Sequence, residues 1–284
     1  MMKNEKQIER LGMLVHPEKP EAARLVRRLA EICRETGLAL VPVDSRSALA
    51  SAQADVIAVL GGDGTILRAL GLMGETMVPV LGVNLGTMGF LAECAPQALE
   101  EAVRRLAQGD YRLEERMLLR VEREGGASSL ALNDVVVSRG ACQRVVQADV
   151  SVDGQAAARF SGDGLVIASP TGSTAYSLSA GGPVVVPQLD CIVVSPVCPH
   201  TFSARPMVVS GESRIEAALA PRGSGKLMMS VDGREGIALE RAMIRVRRAQ
   251  ERLPFVRFGE NRFFSSLRGK LSLWSGSGLS GEER

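Results

Sequence analysis

The residues best equipped for chemistry lie in Gly61-Gly62-Asp63-Gly64-Thr65, which follows an aliphatic run at 56–60 and precedes a helical pattern of Ile66, Leu67, Ala69 and Leu70. A glycine-rich turn between a strand and a helix lets backbone amides approach a phosphate closely, and the helix N-terminus adds a partial positive charge. A carboxylate in the same turn can meet a hydroxyl that is to be phosphorylated. Asp-Gly also makes ordinary turns, as expected at Asp153-Gly154 and Asp232-Gly233. Three glycines among five residues at the carboxyl end of a strand favour the phosphate reading. Two other phosphate motifs fail: the chain holds no GxxxxGK(S/T), and its GxGxxG at Gly276, Gly278 and Gly281 has no strand before it.

Further islands carry polar groups. Gly82-Val83-Asn84-Leu85-Gly86-Thr87-Met88-Gly89-Phe90-Leu91 is a second glycine-rich turn after a strand, able to line the same crevice or simply to pack backbones closely. Leu132-Asn133-Asp134-Val135 sets an amide beside a carboxylate, a pair that can read an adenine edge and a ribose diol, or start a turn. Ser161-Gly162-Asp163-Gly164 and the run from Ser169 to Gly182 concentrate hydroxyls and glycines that are costly to bury. Aliphatic segments at 165–168 and 184–186 bracket the long run, so it reads as a recognition surface inside a domain rather than a linker. Tyr176, one of two tyrosines, can stack on a ligand or rest in a core. His16 and His200, the only histidines, have no partner at metal-ligand spacing, and Arg245, Arg247 and Arg248 read as a solvated face.

These residues need a frame to hold them. The 284 residues suffice for one large domain or two modest ones, and 45% hydrophobic with 23% charged residues is ordinary globular usage. No apolar stretch approaches the roughly eighteen residues of a membrane span. Residues 1–10 lack the apolar core of a secretory signal, and the five cysteines (Cys33, Cys94, Cys142, Cys191 and Cys198) form no CxxC pair. A cytoplasmic protein with reduced, mostly buried thiols is expected. A net charge of +2 proposes neither nucleic acid nor an acidic membrane as partner.

Aliphatic runs at 11–15, 38–43, 56–60 and 78–83 alternate with helical patterns at 21–36, closed by Gly37, and 96–108, closed by Gly109. Strand alternating with helix predicts a parallel α/β sheet. Beyond Glu115, short segments at 118–124, 145–152 and 215–219, with tight Asp-Gly hairpins at 152–155 and 231–234, predict a β-rich half. The expected division is an α/β domain over 1–114, a β-rich domain over 115–262, and a closing segment over 263–284. That segment is read as helical or irregular to Trp274 and frayed from Ser275.

Taken in order, the islands resemble the bacterial NAD kinases: GGDGT at 61–65, GVNLGTMGFL at 82–91, LNDVVVSRG at 132–140, DGLVIASPTGSTAYSLSAGGP at 163–183 and PHTFSARPMVV at 199–209. GGDGT alone is shared with diacylglycerol- and sphingosine-type lipid kinases and with phosphofructokinases. The TGSTAYSLSAGG run and the Asn-Asp pair single out NAD. The resemblance implies an N-terminal α/β domain, a β-rich C-terminal domain, a closing segment that returns to the first, and an active site between the two. It implies phosphoryl transfer from ATP or another donor, such as polyphosphate, to the 2′-hydroxyl of NAD's adenosine ribose, giving NADP. A divalent cation, Mg²⁺, would ride mainly on the donor phosphates.

Carried over by motif, Asp63 would be the general base, with Gly64 beside it and Arg68 nearby for phosphate. Asn133 and Asp134 would hold the adenosine part of NAD, and Asp163 the nicotinamide side. Thr174, Ala175, Tyr176, Ser177, Leu178 and Ser179 would line the NAD pocket, while Arg144 and Ser161 stand where some relatives contact ligand. Ser169 replaces a common Thr, and Arg234 stands where many relatives have Gln. A homo-oligomer, dimer or tetramer, is also implied, with no membrane or nucleic-acid partner. The rival readings are a lipid kinase sharing the GGDGT turn, which needs an acyl-binding groove, and a non-catalytic NAD(H) sensor.

Overall fold

The computed structural model describes residues 7–16, 21–86, 89–140, 145–200, 203–223, 225–234, 236–259 and 263–271. The chain forms two compact units: Met1–Met73 with Val78–Glu114 and Pro254–Arg284, and Gly74–Met77 with Glu115–Leu253.

In the first unit, β1 (Arg10–Val15), β2 (Ala39–Pro42), β3 (Val56–Gly61) and β4 (Val80–Asn84) pair in the order β2-β1-β3-β4, every pair parallel. All of β3 and β4 is buried, which is why they read as unbroken apolar runs. The helices are α1 (Ala22–Thr36), α2 (Arg46–Ala52), α3 (Asp63–Met73) and α4 (Leu99–Ala107). From α1 and α4, Leu29, Ile32, Leu99, Val103 and Leu106 share one core cluster with Leu11, Ala58, Leu60, Leu81 and Val83 of the sheet. Gly37, at φ 76°, ends α1 as its position predicts. Helix α2 was not expected. It spans seven residues, too few for a helical period, and its one signal is Ser45, whose Oγ accepts the Ala48 N–H at 3.2 Å.

The strand order matters for function. The chain leaves β1 toward β2 on one side and β3 on the other, so this unit has its topological switch point between β1 and β3. Open α/β sheets bind ligands at the carboxyl ends of such strands. GGDGT follows β3 directly.

The second unit begins within β5 (Arg112–Arg123) and continues through β6 (Ser128–Ala131), β7 (Asp134–Ser138), β8 (Val146–Val152), β9 (Gln155–Gly162), β10 (Gly164–Ala168) and a short helix α5 (Tyr176–Ser179). Then come β11 (Cys191–Val197), β12 (Met207–Ser210), β13 (Ile215–Pro221), β14 (Leu227–Val231), β15 (Ile237–Leu239) and β16 (Ala242–Arg257). One antiparallel sheet runs β12-β11-β10-β7-β14-β15, and the order β16-β13-β8-β9 makes another antiparallel layer. Alternate residues such as Val146, Ala148 and Val150, or Ile215, Ala217 and Leu219, meet Val135, Val137, Leu165, Ile167, Ile192 and Val194 in one core. The six-stranded sheet is buried on its other face as well, by Val136, Val166, Ala168, Val193 and Val185. This is the face on which the TGSTAY run lies, since Ala180 packs there.

The return to the first unit comes earlier than the expected Phe263. Strand β16 carries the chain across at Pro254, and Phe255 pairs in parallel with Val80 of β4. The last described element is α6 (Phe263–Leu271); the rest of the expected closing segment, 272–284, lies outside the described residues.

Candidate active site

Because β3 ends at Gly61 and α3 starts at Asp63, the Asp63 carboxylate stands on the first turn of a helix, where the helix dipole favours negative charge. Its Oδ2 accepts the Phe90 N–H at 2.9 Å and its Oδ1 the Leu91 N–H at 3.2 Å. The second glycine-rich island therefore faces the first. Gly89 permits that contact: a Cβ there would lie 1.8 Å from Asp63 Oδ1. Among the described residues, open space stands where Gly62 and Gly64 would carry a Cβ, so the backbone amides of this turn are approachable. Arg68 is exposed on α3, while Thr65 is buried against Gly61.

In the second unit, Asn133 and Asp134 open β7. Asp134 is buried at 5% exposure, and Asn133 is half-buried. What fixes them is Asp232. Its carboxylate accepts the backbone N–H groups of Leu132 (2.9 Å), Asn133 (2.7 Å) and Asp134 (3.2 Å). The predicted turn is present, with Asp232 at φ 52° and Gly233 at φ 65°, and the Arg234 N–H donates to the Val231 carbonyl at 3.1 Å. Reading Asp232 only as a turn residue missed its main work. Asp153 adopts nearly the same φ, 51°, on an exposed hairpin, so the dipeptide itself does not distinguish the two. Arg234 donates to the carbonyls of Val231 (3.0 Å) and Leu130 (2.7 Å), closing the same corner.

Two buried carboxylates side by side cannot both ionise freely. Burial, then the neighbouring Asp232 charge, pushes Asp134 up to about 7, against the pull of the Tyr176 backbone N–H. Asp232 is also raised by burial, opposed by the N–H groups it accepts and by the Arg234 charge.

The hydroxyl-rich run divides its labour. Ser169, Ser173 and Ser177 are fully buried. Ser169 Oγ donates to the Leu132 carbonyl and accepts from the Gly172 N–H. Ser173 Oγ donates to the Pro170 carbonyl at 2.7 Å and accepts the Val185 N–H at 3.0 Å, and Ser177 Oγ pairs with Ser195 Oγ at 3.0 Å. These hydroxyls bond within the fold, and Ser177, expected to line the NAD pocket, is among them. Thr174, Ala175, Leu178 and Ser179 retain exposure, and Tyr176 is 44% exposed, not a core tyrosine. The run is joined to Asn133: the Ser169 N–H donates to the Asn133 carbonyl at 2.8 Å, and a Cβ on Gly172 would lie 2.0 Å from that oxygen.

Asp163, between β9 and β10, is half-buried and paired with Arg139 at 3.2 Å. Ser161 is half-buried, and its carbonyl accepts the His200 N–H at 2.8 Å. Arg144 and Cys142 lie outside the described residues. Cys33, Cys94 and Cys191 are free and buried, and Cys198 is free and exposed. Arg245, Arg247 and Arg248 pair with Glu216 (3.0 Å), Glu122 (3.1 Å) and Asp190 (2.8 Å) on partly exposed strands, which suits a solvated face. Among the described residues, no three His, Cys, Asp or Glu side chains cluster as a metal cage, and no helix is long and apolar enough to cross a membrane.

Known proteins match this chain along most of its length. The family profile for the ATP-NAD kinase N-terminal domain matches residues 43–111, and that for the ATP-NAD kinase C-terminal domain matches residues 132–258. The NAD kinase of Geotalea daltonii is 43% identical over 224 residues, covering 77% of this chain and 78% of its own. That of Moorella thermoacetica is 40% identical over 280 residues, covering 93% and 89%. Among solved structures, an NAD kinase from Archaeoglobus fulgidus in complex with ATP superposes with a TM-score of 0.78 at 28% identity, over 93% of this chain and 98% of that one. Yeast NADH kinase complexed with NADH gives 0.86 at 24% identity, over 95% and 89%, a likeness of fold. With both halves of its sequence matched, the chain belongs to the NAD kinase family.

Proposed function

We propose that this kinase moves the γ-phosphoryl group of ATP to the 2′-hydroxyl of NAD's adenosine ribose, with Asp63 accepting the hydroxyl proton. The observation that carries the reading is the Asp63 carboxylate, pinned by two consecutive N–H groups at the carboxyl end of β3. Those bonds leave lone pairs on both oxygens, since an ionised carboxylate offers about four acceptor sites. The open amides around Gly62 and Gly64 and the exposed Arg68 are suited to phosphate, Arg68 through its bidentate fork. Asn133 and Asp134 would hold the adenosine, and Asp163 the nicotinamide side. Thr174, Ala175, Tyr176, Leu178 and Ser179 offer the outward surface of the pocket, and Ser177 contributes by holding that surface from beneath.

A divalent cation would arrive mainly on the donor phosphates, since no three His, Cys, Asp or Glu side chains cluster among the described residues to cage one. When bound, such an ion, Mg²⁺ in our reading, would supply neutralisation of the charge developing on the transferred group. Placement in the cytoplasm and assembly as a dimer or tetramer complete the proposal; light scattering of purified protein tests the latter.

The decisive variant is Asp63→Asn, which keeps shape and hydrogen bonding but cannot take the proton. Positioned general-base catalysis is worth about 10²–10⁴ in rate, so kcat should fall within that range while the NAD dissociation constant changes far less. The loose transition state of phosphoryl transfer favours the lower end. A folded variant that keeps most of its kcat would remove Asp63 from the chemistry.

A further inference from the structure

The segment that holds Asp63 is itself held from two sides by residues with no part in the reaction above. On one side lies Arg257, at the end of β16. Its Nη1 donates to the Leu91 carbonyl at 3.2 Å and to Glu93 Oε2 at 3.2 Å. Glu93 Oε1 accepts the Phe258 N–H at 3.0 Å, and Glu114 Oε2 lies 3.7 Å from Arg257 Nε. Arg257, Glu93 and Glu114 are 7%, 9% and 7% exposed. On the other side lies α6. The Phe90 ring has Phe263 at 6.3 Å and the Lys270 ammonium 4.4 Å from its centroid. Phe90 and Leu91 are the two residues whose N–H groups meet the Asp63 oxygens.

Glu114 also meets the half-buried Arg112 guanidinium at 3.9 Å, and such a largely buried ionic cluster is a poor stabiliser, because desolvation consumes most of the attraction and apolar replacements often do as well. It does fix geometry. Two carboxylates set the plane of the Arg257 fork, and the fork presents an N–H to the carbonyl of Leu91 while the amide of the same residue binds Asp63. An ångström of play at Leu91 becomes an ångström of play at the carboxylate. We propose that Arg257 and α6 position the Asp63 carboxylate for proton removal, Arg257 through Leu91 and α6 through the Phe90 ring, a role that rests on Asp63 being the base.

A double-mutant cycle tests this with purified full-length protein, NAD, ATP and Mg²⁺. Arg257→Met should lower kcat roughly tenfold to a hundredfold, the scale of an ångström misplacement, and leave both KM values within about twofold. In the Asp63→Asn chain the same change should lower kcat by less than about twofold, since the group it orients can no longer take a proton. Arg257→Lys keeps the charge beside Glu93 and Glu114 and should recover part of the loss. If Arg257→Met fails to fold, Lys270→Met decides the question at an exposed position: kcat should fall several-fold only where Asp63 is intact. Equal losses in both backgrounds overturn the positioning role and leave Asp63 as base. An Asp63→Asn chain with parental kcat overturns both.

Discussion

The Asp134 carboxyl is a group whose charge state the fold strongly disturbs. Its ordinary value is 3.8, and burial beside Asp232 lifts it to about 7. The folded chain therefore holds this proton more tightly than the unfolded chain does. Stability from this group is fully present below the ordinary carboxylate range and is lost as pH rises through about 7. Asp134→Asn removes the titration, so in the absence of NAD it should raise Tm more at about pH 8 than at about pH 5. Thermal scans of parent and variant at both pH values check this; a difference that does not change with pH would show that Asp134 ionises normally. The same variant should bind NAD more weakly, because one of the two acceptor oxygens offered to the ribose or adenine becomes an NH2 donor.

Elements explain what a reader of the sequence can and cannot see. The strands β3 and β4 are buried on both faces, so their apolar runs announce them, and the chemistry of GGDGT follows from its place between β3 and α3. Asp63 was legible because the glycines around it mark the turn in its own sequence, although the amides that hold its carboxylate, at Phe90 and Leu91, are distant. Asp232 was not: the amides it binds lie about a hundred residues earlier, at Leu132 to Asp134, and nothing in Val-Asp-Gly-Arg records them. The internal bonds of the Ser169, Ser173 and Ser177 hydroxyls were hidden for a related reason, since satisfied buried serines and exposed ones look alike in sequence. Gly172 joins these elements. Its missing Cβ lets the run lie on the Asn133 carbonyl, which is backbone and cannot swing aside. Gly172→Ala should push the run off the Asn133-Asp134 corner and raise the NAD dissociation constant roughly tenfold or more, comparable to Asn133→Ala. Calorimetric titration of folded variants tests the link, and parental affinity in Gly172→Ala would show that the corner and the run act separately.

At the scale of the whole molecule, the chain visits its first unit, builds the second, and comes back. The return was legible only as a family expectation: β16 runs as one strand through the change of unit, marked by Pro254 and by the switch from alternating to continuous burial, and pairs with β13 at Ala242 to Val246 and with β4 at Phe255. This arrangement makes the two units unequal in what they need. Every residue of the second unit's main core falls between Met117 and Val246. The first unit, in contrast, draws Phe255 and Val256, both 0% exposed, from the last stretch. A chain ending at Leu253 should keep slow amide exchange over β7, β8, β10, β11 and β13, and lose it over β1, β3 and β4, together with all kinase activity. In the full-length chain, Phe255→Ala should cost about 3–5 kcal/mol, as large buried aromatics do. Hydrogen exchange followed by peptide mass analysis separates the outcomes. Protection retained in β3 and β4 of the shortened chain would mean that the first unit closes its core without the returning strand, and uniform loss across both units would mean that the second cannot stand on its own core.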